Sequence, residues 1–147
     1  MRSVGKERIT AVGLILLTAV LLVVGCSSKP PAQWGKVLKY NKGGNLFYTS
    51  NVTEEEARRL GDYLLKAGLF QDDKPTIAQL TKKGDVYQVR VVAEKGVIEK
   101  KRAPEEMDPV QAAGLLAENI SEKVFNGAKV EWHICDDKLK TLRVGSY

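Results

Sequence analysis

The feature of this 147-residue chain that most limits its fold is a pattern that occurs twice, a helix signal followed by two strand signals. One helix over a two-stranded hairpin cannot bury its apolar face by itself. Two such α-β-β units placed side by side can, because they share one sheet and one core. The repeat therefore predicts an α+β two-layer sandwich, an antiparallel sheet with both helices on one face.

The first unit covers about residues 53–92. Thr53 followed three residues later by Glu56 predicts a helix start with a capping box. Gly68 predicts the left-handed end of that helix. The strand signals lie at residues 76–81 and 86–92, and a further hairpin signal lies at residues 37–40 and 46–48, before the helix.

The second unit covers about residues 108–145. Asp108 as N-cap, with Pro109 at the first helical position, predicts its helix start. At an offset of 55 residues the two helices end on the same aromatic residue, Phe70 and Phe125. We interpret the repeat as an internal duplication. The alternative is that any two amphipathic helices followed by hairpins align this well.

The alignment makes specific pairings that the structure can test. The helix offset pairs Ala57 with Ala112, Leu60 with Leu115 and Leu65 with Ile120. The hairpins align at an offset of 53, which pairs Ile77 with Val130. Each pairing predicts that the two residues occupy equivalent positions in the sandwich.

The N-terminal 25 residues have the pattern of a secretory signal peptide. Three basic residues within the first eight positions precede sixteen uncharged residues, Ile9–Val24. That run falls short of the about 17 to 25 apolar residues that a membrane-spanning helix needs. We therefore expect residues 1–25 to be removed and residues 36–147 to form one domain.

The tetrapeptide Val23-Val24-Gly25-Cys26 resembles the lipobox of bacterial lipoproteins. The resemblance implies that the Cys26 thiol receives a diacylglycerol, that the chain is cleaved before it, and that the new N-terminus can take palmitate. It implies a lipoprotein anchored in the cell membrane and facing outward, and Ser27 favours the outer membrane if the cell is Gram-negative. Residues 26–35 then form a tether. The alternative is an uncleaved signal anchor with an incidental cysteine.

The charge distribution gives no indication of a nucleic-acid partner. The formal net charge is +5, but residues 1–25 hold three basic residues and one acid, so the remainder carries only +3. Its Lys and Arg residues are interspersed with acids, whereas nucleic-acid binding requires a clustered basic face. We therefore expect the membrane and another envelope protein as partners.

The most suggestive side chains for chemistry lie on one predicted strand, Val130–Cys135. By alternation Glu131, His133 and Cys135 share one face, and Asp137 follows two residues later. Carboxylate, imidazole and thiolate suit zinc, so these four are candidate metal ligands. Same-face neighbours lie about 6.6–6.8 Å apart, which opposes binding by three of them without a bend. The alternative is a half-buried strand with a hydrogen-bonded histidine and an inert cysteine.

Two further segments carry a resemblance. Asn51-Val-Thr-Glu-Glu-Glu-Ala57 with Leu60-Gly-Asp-Tyr-Leu64, and Cys135-Asp-Asp137 with Leu139-Lys-Thr-Leu142, are similar to an uncharacterised domain of bacterial secreted and membrane proteins. The resemblance implies the fold and secretion and supplies no catalytic residue.

The sequence favours a non-catalytic protein without a cofactor. His133 is the only histidine, which excludes metal sites built from two or three histidines. We expect a lipid-anchored, extracytoplasmic domain that interacts with an envelope protein. The alternative function is a metal-binding or thiol-dependent protein centred on His133 and Cys135.

Overall fold

Three hairpins and two helices alternate along the chain and form one six-stranded sheet. The computed structural model describes residues 29–41 and 43–147, so the predicted signal peptide and Cys26 lie outside the described residues. The strands are hydrogen-bonded in the order in which they occur in the sequence. The elements are β1 (Lys36–Tyr40), β2 (Gly44–Tyr48), α1 (Glu54–Lys66), β3 (Thr76–Lys83), β4 (Val86–Val92), α2 (Pro109–Val124), β5 (Val130–Cys135) and β6 (Thr141–Ser146).

The α+β class is confirmed, with the correction that the sheet is mixed and not antiparallel throughout. The pairs β1–β2, β3–β4 and β5–β6 are antiparallel hairpins, but β2 runs parallel to β3 and β4 runs parallel to β5. Each parallel pair is joined by a helix. A helix carries the chain back along the sheet, so the next strand runs in the same direction as the one before it.

The predicted helix ends are confirmed. The Thr53 hydroxyl oxygen accepts a hydrogen bond from the backbone N–H of Glu56 at 3.1 Å, and the Glu56 carboxylate accepts from the backbone N–H of Thr53 at 2.7 Å. Gly68 has a φ of 77°, the left-handed conformation that favours glycine. The Asp108 carboxylate accepts from the backbone N–H of Val110 at 2.8 Å and starts α2.

Both helices lie on the same face of the sheet. Tyr40 at one edge lies against α1, and Gly145 at the other edge lies against α2. The strand register puts both residues on the face that holds the core. The core residues of the strands share that face and include Leu46, Tyr48, Ala78, Leu80, Val89, Val130, Trp132 and Ile134.

The repeat is correct in topology, and Phe70 and Phe125 are both buried as their pairing predicts, but other pairings are wrong by one position. Leu60 is fully buried, whereas its predicted counterpart Leu115 is 48% exposed. Likewise Ile77 lines a groove on the other face of the sheet, whereas Val130 is in the core. Since each residue turns a helix by about 100° and flips a strand side chain to the other face, one position is enough to exchange buried and exposed residues. The buried helix positions match as Ala57 with Ala113, Gly61 with Ala117 and Leu64 with Ile120.

A glycine sets the distance between β6 and α2. A Cβ atom built on Gly145 lies 2.4 Å from the backbone nitrogen of Gly114 and 2.7 Å from the carbonyl carbon of Ala113. These are backbone atoms of a packed helix, so they cannot move aside as the end of a flexible side chain can. The close approach of the last strand to α2 therefore requires glycine at position 145.

We expect Gly145→Ala to lower the free energy of unfolding by about 1–3 kcal/mol, because the new methyl group separates β6 from α2. The matched control is Gly114→Ala, whose Cβ meets only the Ser146 carbonyl oxygen at 3.8 Å. This change is expected to raise stability by about 0.5–1 kcal/mol through helix propensity. Urea unfolding followed by circular dichroism measures both, and equal stability of the two variants contradicts the packing argument.

Candidate functional site

The face of the sheet opposite the helices, here called the open face, carries a connected row of polar side chains. Gln88 Nε2 donates to a carboxylate oxygen of Glu131 at 2.9 Å, and the same oxygen lies 2.9 Å from His133 Nε2. On its other side, His133 Nδ1 lies 2.9 Å from the Thr141 hydroxyl oxygen. Three strands therefore contribute to one chain of hydrogen bonds, because β4, β5 and β6 are neighbours in the sheet.

His133 is satisfied at both ring nitrogens. An ionised carboxylate only accepts hydrogen bonds, so Nε2 donates to Glu131, and Nδ1 is hydrogen-bonded to the Thr141 hydroxyl. The hydrogen bond from His133 lowers the pKa of Glu131; burial opposes this effect, and Gln88 adds to the lowering. His133 is only 7% exposed. This arrangement explains how a buried histidine is accommodated, since buried polar groups require partners.

Thr141, His133 and Glu131 are connected in the order hydroxyl, imidazole base and orienting carboxylate, as in sites with an activated nucleophile. A hydrolytic site also needs a place where substrate reaches the hydroxyl and donors that stabilise an oxyanion. Neither of the two cavities described for this chain is lined by Thr141 or His133. The contacts that the row makes are those of a hydrogen-bond network that ties β6 to the sheet.

Cys135 shares the open face but does not complete a metal site. Its side chain is fully buried and its sulfur donates to the His133 carbonyl oxygen at 3.7 Å. Burial raises the pKa of the Cys135 thiol, and the positive charge of Arg90 opposes that shift only in part. Within residues 29–41 and 43–147, no group of three or more His, Cys, Asp or Glu side chains could hold a metal ion.

The loop between β5 and β6 determines where Asp137 lies and provides a hydrogen-bond partner for Arg90. Asp136 folds this loop by accepting from the backbone N–H groups of Lys138 and Lys140 at 3.0 and 2.8 Å. The loop lies over the open face, where the Arg90 guanidinium donates to the Leu139 carbonyl oxygen. Asp137 is thereby directed to the wall of a groove, away from Glu131 and His133. Of the four predicted ligands, Glu131 and His133 are therefore in contact, whereas Cys135 is buried and Asp137 lies at the groove.

That groove is the larger of the two described cavities, with a volume of about 840 Å³. It lies on the open face between the loop that follows β5 and the segment that precedes β1. Its apolar lining includes Trp34, whose ring meets Phe47 edge-on with centroids 5.2 Å apart. No local pattern in the sequence predicts the groove, because its lining residues are up to about 100 residues apart and are brought together only by the strand order.

A second group of exposed apolar side chains, here called the β6 patch, surrounds the other edge of the sheet, with Val144 on the open face beside His133 and Leu115 on the helix side. It consists of five large apolar side chains that are 40–58% exposed. Two belong to β6, one follows it, and two lie at or in α2. The residues are Met107, Leu115, Leu142, Val144 and Tyr147. Among the described residues β6 pairs only with β5, so its outer edge is free.

The family comparison covers all of the strands and helices described above. A family model, the AF_1994_N family N-terminal domain, matches residues 37–144. The chain belongs to this family. The expected membership of an uncharacterised domain family is therefore confirmed. Comparison of the chain with curated proteins and with solved structures gave no match.

The matched region begins within β1 and ends within β6, so it contains both α-β-β units and the preceding hairpin. All four predicted ligands, the open-face network and most of the groove floor lie within the AF_1994_N domain. In the part of the chain that the structure describes, neither helix has the length and apolar composition that a bilayer crossing requires.

The burial of Cys135 generates a testable expectation about its reactivity. The thiolate is the reactive form, and both the raised pKa and the absence of exposure oppose its formation. In a Cys26→Ser background, Cys135 is expected to react with Ellman's reagent at least about 100-fold more slowly in the native chain than in urea. Stoichiometric reaction of the native chain within minutes contradicts this and supports a thiol-dependent function.

Proposed function

We propose that this protein is a lipid-anchored, extracytoplasmic domain that binds another envelope protein through the β6 patch. The observation that carries the proposal is the position of the exposed apolar side chains. Five of the six large hydrophobic residues that are exposed in the described chain lie around one free strand edge. Apolar patches of this kind mark interaction sites in soluble domains.

The β6 patch suits a protein partner because it combines two kinds of contact. The outer edge of β6 offers backbone N–H and C=O groups that can pair with an added strand. The side chains of Leu142 and Val144 lie along that strand, and Leu115 and Tyr147 flank it on the side of α2. Arg143 adds a charge to the strand, and a charge on an exposed edge discourages indiscriminate pairing. The partner therefore has to match both the strand edge and the apolar residues.

The lipid anchor is inferred from the Val23-Val24-Gly25-Cys26 motif. Nine residues lie between Cys26 and Lys36, where β1 begins. A chain of that length spans at most about 35 Å, so the domain is held close to the membrane surface. Confinement raises the effective concentration of a partner in the same membrane, which suits an interface of modest affinity.

The alternative function, metal binding or thiol chemistry at His133 and Cys135, is less consistent with the geometry. Both ring nitrogens of His133 have partners in Glu131 and Thr141. The Cys135 sulfur is buried. A metal ion would have to displace these hydrogen bonds and reach a covered thiol.

Cys26→Ser is expected to abolish lipid modification and release the protein from the membrane fraction. Metabolic labelling with palmitate, followed by membrane fractionation, measures both effects. Cys135→Ala is the matched control, because it removes the other cysteine of the chain and should leave labelling unchanged. Continued labelling and membrane association of Cys26→Ser rules out anchoring through this residue.

The β6 patch is tested by site-specific photocrosslinking in native membranes. A photoreactive amino acid in place of Val144 and, separately, of Leu115 is expected to give an adduct with one and the same envelope protein. Lys123, an exposed residue of α2 outside the β6 patch, is the control position and should give no such adduct. Mass spectrometry identifies the adducts, and different or absent partners at positions 144 and 115 contradict the proposed interface.

A further inference from the structure

We propose that the groove on the open face binds a long alkyl chain that carries an anionic head group, as in a fatty acid. This inference goes beyond the proposed function, because the groove and the β6 patch lie at different edges of the sheet. It rests on the shape, the lining and the charges of the groove. It does not depend on whether Cys26 is lipidated.

The floor of the groove is apolar. Val37, Phe47 and Ile77 come from three adjacent strands and lie on the open face in the observed register. Val37 is 40% exposed although it lies in a strand, whereas Phe47 beside it is only 5% exposed. The floor therefore continues from covered to uncovered apolar surface. Burying an alkyl chain there gains about 0.8 kcal/mol for each methylene group.

The wall of the groove is held in place by the segment before β1. Gln79 Nε2 donates to the Trp34 carbonyl oxygen at 3.1 Å, which fixes this segment on the open face. Pro30 and Pro31 precede the 3-10 helix Ala32–Trp34 and limit the conformations of the chain. Because the wall is positioned by contacts within the domain, the groove is largely preformed, as small-molecule sites usually are.

The charges around the groove select the head group. Three lysines, Lys29, Lys39 and Lys138, line it together with a single acid, Asp137. All three lysines are exposed. Their ammonium groups can therefore contact an anionic head group at the opening of the groove while the alkyl chain lies on the groove floor. An excess of cations favours an anionic amphiphile over a neutral or cationic one.

An alkyl chain fits the floor better than an extended acidic peptide does. A peptide brings backbone N–H and C=O groups that must keep hydrogen-bond partners when they leave water. Among the uncharged residues that line the groove, only Asn45 and Gln33 have polar side chains. An alkyl chain has no such requirement. The volume of about 840 Å³ lies within the range of about 300–1,000 Å³ typical of small-molecule sites.

The two tryptophans of the chain provide a direct assay. Trp34 lines the groove, whereas Trp132 is 5% exposed in the core on the other face of the sheet. The full chain is held in nanodiscs of phosphatidylcholine and titrated with dibromostearate, whose bromine atoms quench tryptophan on contact. We expect saturable quenching that Trp34→Phe removes. The uncharged methyl ester of the same chain should require an about tenfold higher concentration.

Three variants separate groove binding from simple partition into the membrane. Val37→Glu places a charge on the floor and should weaken quenching at least about tenfold. Lys39→Glu should weaken it about threefold or more, and because Lys39 is exposed this variant remains informative if Val37→Glu does not fold. Lys123→Glu reverses an exposed lysine of α2, outside the groove, and should change nothing.

Some outcomes overturn the proposal. Equal quenching in the unmodified chain and in Val37→Glu means that Trp34 meets the probe in the bilayer and not in the groove. Equal potency of the carboxylate and the methyl ester removes the role of the lysines. Displacement of dibromostearate by a glutamate-rich peptide at lower concentration than by unlabelled stearate identifies the groove as a peptide site.

Discussion

The carboxylate of Glu56 holds the first α-β-β unit together at the point where Tyr87 of that unit meets the second. It accepts from the backbone N–H of Thr53 at 2.7 Å and so closes the cap of α1. It also accepts from the Tyr87 hydroxyl of β4 and lies 3.4 Å from Lys82 Nζ of β3. Tyr87 in turn stacks on Phe125 at the end of α2, with ring centroids 3.8 Å apart. Glu56 thus joins the start of α1 to β3 and β4, and Tyr87 joins β4 to the end of α2.

The electrostatics of Glu56 follow from these contacts. Burial alone would raise the pKa of this carboxyl, but hydrogen bonds from the Thr53 backbone, the Tyr87 hydroxyl, the Thr53 hydroxyl and Lys82 outweigh burial and lower it to about 2. Because the folded value lies below the ordinary value of 4.5, the ion stabilises the fold at neutral pH. That contribution is lost as pH falls through the range from about 4.5 to about 2, where the folded chain begins to take up the proton. The attachment of α1 to the β3–β4 hairpin is therefore strongest where the carboxylate is charged.

The ends of the helices could be predicted from the sequence, whereas the direction in which neighbouring hairpins pair could not. Thr53, Glu56, Gly68 and Asp108 act within a few residues of their partners, so capping chemistry identified both helix starts and the end of α1 from the sequence alone. Parallel pairing depends on where a helix returns the chain. Neighbouring hairpins can pair through antiparallel or through parallel strands, and both arrangements have the same order of helix and strand signals in the sequence. The expectation of an antiparallel sheet was therefore wrong at the joints β2–β3 and β4–β5.

The open face illustrates the same limit at the level of single side chains. Alternation placed Glu131, His133 and Cys135 on one face, and the structure agrees. Nothing in the spacing indicated that Thr141 completes the hydrogen bonds of His133, since that contact depends on the register of β6 against β5, which contains a shift between Ile134 and Cys135. A register is fixed by packing across the whole sheet. The hydrogen-bond partners of the buried His133 can therefore be identified only from the folded structure.

The arrangement of the sheet separates the two surfaces for which we propose binding roles. The polar network of Gln88, Glu131, His133 and Thr141 occupies strands β4 to β6, and the groove lies over strands β1 to β3. The polar groups of this network are hydrogen-bonded to one another, so few of them are available to bind a ligand. The network therefore stabilises the sheet and does not add binding affinity. The β6 patch and the groove are thereby held on one rigid sheet with the network between them. A ligand in the groove and a protein at β6 can then be bound at the same time, since neither surface uses the side chains of the other.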